Sequence, residues 1–134
     1  MTSFVLDPRL KQDCHLMLET ATKFLLLMDN ALYHWFVLVP KVDETELHEL
    51  DELTQKEVFN ELMQLSRFVK QTLNVDKINI GAIGNIVKQL HIHVIGRCHN
   101  DATWPNVVWG ADPKKAYEES QLVDLRQKVC SFFN

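Results

Sequence analysis

Disulfide-forming capacity is scarce in this chain. Only three cysteines, Cys14, Cys98 and Cys130, occur in 134 residues, and no two form a CxxC pair. Such an odd, scattered set excludes a disulfide framework and offers no zinc-finger spacing. An excess of basic residues is lacking too: 14 Lys and Arg stand against 18 Asp and Glu, for a net charge of -4. Coating nucleic acid requires a basic face that neutralises phosphates, so no extended nucleic-acid binding is expected. Long apolar runs are absent. The longest lies around Phe24 to Met28, well short of a membrane span, and Met1 to Leu10 lacks a basic-then-apolar signal pattern. These absences lead to the expectation of a cytoplasmic protein with no membrane partner.

What remains is ordinary globular composition, 46% hydrophobic and 24% charged. The length suits one domain spanning 1–134, and no repeat, linker or low-complexity segment interrupts it. Asp7-Pro8 reads as a helix start with proline in the first turn, the helix running to about Asp13. Three short apolar runs follow: Cys14 to Glu19, Lys23 to Met28, and Trp35 to Val39, the last stopped by Pro40. Their spacing predicts an antiparallel meander. Asp43 and Glu46 form a capping-box pair. Beyond them Leu47, Leu50, Leu53, Leu62, Leu65, Val69 and Leu73 recur on one helical face, which predicts a long helix ending near Asn74. Lys77 to Ile83 and the stretch from Gln89 alternate as strands, with Gly84-Asn85 between them. After an irregular stretch with Trp104 and Trp109, a helix is expected from Pro113 through Val129, with Tyr117, Leu122, Leu125 and Val129 inward. The predicted class is α+β, a five-stranded antiparallel sheet with a long helix and a C-terminal helix.

The chemistry concentrates in Gln89-Leu90-His91-Ile92-His93-Val94. In a strand, residues i and i+2 share a face, so Gln89, His91 and His93 are expected to project together. Paired imidazoles can divide labour, one attacking an electrophile while the other binds or protonates. Two plainer readings stand beside this one. The histidines can be surface residues, or His91 and His93 can hold a metal ion. The metal reading needs further ligands, and His15, His34, His99 and Asp101 show no recognisable ligand spacing. No metal and no cofactor are therefore expected.

The segment Gly84 to Arg97 resembles the signature of the histidine-triad (HIT) family, alternating histidine and apolar residues after a turn and followed by a basic residue. Trp35 to Lys41, ending in Pro-Lys, and Trp104-Pro105 extend the likeness. At the first triad position this chain carries Gln89 instead of histidine. The resemblance implies a homodimer and a nucleotide hydrolase. His91 would attack the α-phosphorus of a dinucleoside polyphosphate, phosphoramidate or similar conjugate, forming a covalent nucleotidyl-histidine. It implies that His93 stabilises phosphate oxygens, with Gln89 supporting. Asn85 would contact phosphate, Asp29 or Asn30 the ribose, and Trp104 would close the pocket from its own or the neighbouring subunit. The rival functions are a nucleotide-binding module with little turnover and a metal-binding protein using His91 and His93.

Overall fold

The computed structural model describes residues 3–133. Helix α1 (Pro8–Asp13) starts where Asp7 caps it, its carboxylate accepting from the Arg9 N–H at 2.8 Å, with Pro8 in the first turn. The three apolar runs then form strands β1 (Cys14–Glu19), β2 (Lys23–Met28) and β3 (His34–Pro40). They pair as the antiparallel meander their spacing predicts. Strands β4 (Lys77–Gly81) and β5 (Ile92–Arg97) complete a five-stranded sheet of order β1-β2-β3-β5-β4, all neighbours antiparallel.

Alternation along the strands separates two apolar faces. Leu25, Leu27, Phe36, Leu38, Ile92 and Val94 pack against Val58, Leu62, Leu65 and Phe68, and against Leu122, Leu125 and Val129 of the C-terminal helix α3 (Glu119–Phe133). The opposite face presents Leu26, Trp35, Val37, Val39 and Ile95, covered by Leu10 and Val108. Both sides of the central strands are thus buried, and β5 is buried along its whole length.

Three elements depart from the sequence-based expectation. The long helix α2 (Glu52–Arg67) begins nine residues beyond Asp43, where Asp51 accepts from the Thr54 N–H at 2.8 Å. The competing cap at Asp43 is not used, and Leu47–Glu49 forms only a 3-10 turn that carries Leu50 into the core. The helix ends as expected: a π turn (Phe68–Thr72) leads to Asn74, whose φ of 57° suits asparagine in the left-handed region. Strand β5 begins at Ile92, not Gln89. Its last partner on β3 is Leu38. Two residues further along that register, opposite Leu90, its partner would be Pro40, which has no N–H to extend the ladder. Finally, no helix starts at Pro113. Residues 113–117 form no helix because their backbone is tied to Asn30 and Asp29, and α3 starts at Glu119.

Among the described residues no helix is long and apolar enough to cross a membrane.

Candidate active site

His91 and His93 come together at one end of β5, their ring centroids 5.1 Å apart and their planes inclined at 68°. Both are buried. His91 lies just before the strand and folds its ring back on its own backbone, with Nδ1 2.7 Å from the Gln89 carbonyl. A carbonyl only accepts, so Nδ1 carries the proton and Nε2 the lone pair. His93 lies within the strand, opposite Val37 on one side and Gly81 on the other. Its Nδ1 accepts from the indole N–H of Trp35 at 2.9 Å. Burial, reinforced by the charge His91 carries when protonated, pulls His93 down to about 4.

Aromatic walls produce that burial. The Trp35 and Trp109 rings stand edge-on to His93, at centroid distances of 5.8 and 5.6 Å, and edge-on to each other at 6.4 Å. Gly81 leaves room for Trp109: a β-carbon there would stand 3.0 Å from the end of the indole. Beside His91 opens a cavity of about 630 Å³ whose lining includes Leu47, His48, Gly84, Lys88 and Gln89. Its size falls in the range of small-molecule sites.

Gln89 is not in the imidazole cluster as strand alternation predicts. Because β5 starts late, its amide reaches the N-terminal segment instead. Oε1 accepts from the Asp7 N–H and Nε2 donates to the Val5 carbonyl, each at 2.8 Å. The segment so held carries an Asp7–Arg9 pair, at 3.1 Å, and Arg9 also donates to the Ile86 carbonyl at 3.2 Å. The Arg9 guanidinium and N–H hold the Asp7 carboxyl below its ordinary range, and the charge of His91 acts in the same sense. Asn85 is exposed, in the turn after Gly84.

Asp29 and Asn30 do not face the histidines. They follow β2 beside the start of β3, whereas the register sets His93 opposite Val37 and places His91 beyond the Ile92–Leu38 pair. Their side chains are already used. Asp29 accepts from the Tyr117 N–H and meets His15 Nε2, both at 3.0 Å, which holds its carboxyl below the ordinary range. Asn30 accepts from Leu32 and Lys115 and donates to the Pro113 carbonyl. Trp104 also lies elsewhere, at the far end of β5. It stacks edge-on to His99 at 4.8 Å and lies 5.6 Å from the buried Arg97 guanidinium. Arg97 in turn is held by Asp101 and Asn79. In place of these residues the structure brings Trp35 and Trp109 to the site. For Trp35 the available signal was alternation, which sets it on the same strand face as Val37. For Trp109 no local signal existed.

Among the described residues no group of three or more His, Cys, Asp or Glu side chains is arranged to hold a metal ion.

An antiparallel α+β sheet with two adjoining imidazoles, of which His91 lines a cavity, defines a class of domain suited to histidine nucleophile chemistry. The comparisons then fix the family. The HIT domain model matches residues 9–100. A histidine triad protein from Sinorhizobium meliloti is 35% identical with a TM-score of 0.92, the match covering 98% of each chain. A histidine triad protein from Bradyrhizobium japonicum is 33% identical, also with a TM-score of 0.92, covering 97% of this chain and 98% of that one. A diadenosine triphosphate hydrolase from Plasmodium falciparum shares the fold at 17% identity and a TM-score of 0.58, covering 96% of this chain and 79% of that one. No curated protein matches significantly. This chain belongs to the histidine-triad family, a family of nucleotide-binding hydrolases.

Proposed function

We propose that the protein binds a nucleotide conjugate and cleaves it at the α-phosphorus, with His91 as nucleophile. The carrying observation is the bond from His91 Nδ1–H to the Gln89 carbonyl. It commits the Nε2 lone pair to attack, and the carbonyl steadies the ring proton as the imidazole becomes cationic. In the first step the Nε2–P bond forms while the bond from phosphorus to the leaving group breaks, the electron pair departing with that group. Water then attacks phosphorus, the N–P bond breaks, and a nucleoside monophosphate leaves with His91 restored. The proton lost by water passes to solvent. His93 donates through Nε2–H to a phosphate oxygen, and Asn85 with the backbone of its turn supplies further donors. The step needs no metal to generate a nucleophile, because a side chain already provides one. The fold shared with a diadenosine triphosphate hydrolase makes a dinucleoside polyphosphate the first substrate to test.

The test is intact-protein mass spectrometry after rapid quench of a reaction with diadenosine triphosphate or an adenosine phosphoramidate. A nucleotidyl adduct on His91 is expected, and His91→Ala is expected to lose the adduct and turnover by roughly 10⁴-fold. Near wild-type hydrolysis by His91→Ala would overturn the mechanism. Nucleotide binding without adduct or turnover would leave the binding module as the function.

We also propose a homodimer, on the family resemblance and on β4, an edge strand with exposed Ile80 next to exposed Ile83 and Ile86. Light scattering is expected to report twice the 15.6 kDa chain mass; the single-chain mass would refute it.

A further inference from the structure

We propose that Trp35 is a positioning residue for His93: its indole N–H occupies the one basic nitrogen of that ring and fixes Nε2–H as the donor offered to substrate. The inference rests on the function proposed above and specifies how one of its groups is prepared. An indole nitrogen donates and never accepts. Its 2.9 Å approach to His93 Nδ1 therefore requires the lone pair there. The other tautomer would set two buried N–H groups against each other, both unsatisfied. A second proton on His93 meets the same obstacle, since it must enter where the indole already points. Trp35 is itself buried on the sheet face it shares with Val37, and Trp109 stands edge-on to both Trp35 and His93. Neither ring is free to turn away.

One chemical consequence follows. A His93 capped in this way gives a hydrogen bond but does not shuttle a proton, and Gln89, whose amide is bonded to Asp7 and Val5, cannot do so either. Two of the three triad positions are thereby withdrawn from general acid work, which leaves His91 as the single reactive imidazole. The low affinity of His93 for protons, caused by burial, agrees with the geometry.

The test replaces the indole N–H with sulfur by incorporating benzothienylalanine at position 35, which keeps ring shape and packing and removes only the donor. Trp35→Phe serves as a second, encodable variant. Nitrogen-15 NMR of the ligand-free protein is expected to show His93 as the Nε2–H tautomer. In both variants a mixture of tautomers is expected. Affinity for adenosine monophosphate is expected to fall roughly tenfold, about what one charge-assisted hydrogen bond supplies. Neither readout needs turnover, so a wild-type protein that binds but does not hydrolyse would defeat the hydrolase reading and leave this one standing. An Nδ1–H tautomer in the wild type, or a sulfur analogue with unchanged tautomer and affinity, would overturn it.

Discussion

Gln89 spends both ends of its amide on the backbone of residues 5 and 7, and that changes what a substitution there should do. Strand alternation sets it beside His91 as a partner in the chemistry; in the fold its carbonyl holds His91 while its side chain holds the N-terminal segment. Removing the amide is therefore expected to act first on that segment. Gln89→Ala should cost about 1–2 kcal/mol, the net worth of two partly exposed hydrogen bonds. Amide exchange at Asp7, whose N–H the glutamine accepts, should rise sharply. Unchanged exchange at Asp7 would show that something other than this amide holds the segment. The histidine pair itself was legible, because His91 and His93 stand two apart in an alternating run. Their surroundings were not. The Trp35–His93 contact joins positions 58 apart, through a pairing between strands that are not consecutive in the chain.

At the scale of elements, the meander was readable because its runs, turns and stop at Pro40 are local. The misplaced boundaries each had a non-local cause. The helix start was decided between two caps, Asp43 and Asp51, which look alike in sequence. The start of β5 was set by a proline on another strand. The irregular stretch before α3 has helical residues but lacks free backbone donors at Lys115 and Tyr117, which are bonded to Asn30 and Asp29. The Asp29-Asn30 pair, expected to contact ribose, holds the strap that follows Trp109. Asn30→Ala should leave the Lys115 and Leu32 N–H groups and the Pro113 carbonyl without their partner. A loss of about 1–2 kcal/mol is expected, in the lower part of the range for orphaning backbone groups because these are only part-buried. Hydrogen exchange should rise across 113–117 first. A ribose role would instead show as weakened nucleotide binding with stability unchanged.

For the whole molecule, the buried neutral His93 makes stability depend on pH. Folded, this ring resists protonation down to about 4, because burial disfavours its charged form; unfolded, it titrates at the ordinary histidine value of 6.5. Between those values the unfolded chain binds a proton that the folded chain refuses. Stability is therefore complete above pH 6.5 and falls as the pH drops toward 4. The same linkage gives a loss of about 2 kcal/mol by pH 5 from this group alone. His34, also lowered by burial, acts in the same direction. The carboxylates of Asp7, Asp29, Asp51 and Asp101 are held low, so they stabilise the fold above their unfolded value of 3.8 and release that contribution only as pH falls through and below it. The window between pH 6.5 and 5 therefore belongs to the histidines. Denaturant midpoints measured at pH 7 and pH 5 should fall for the wild type and fall distinctly less for His93→Gln, whose amide oxygen can still accept from Trp35 but carries no titration. Equal falls in the two proteins would mean that His93 is protonated in the folded state, and the sequestered, neutral imidazole would have to be given up.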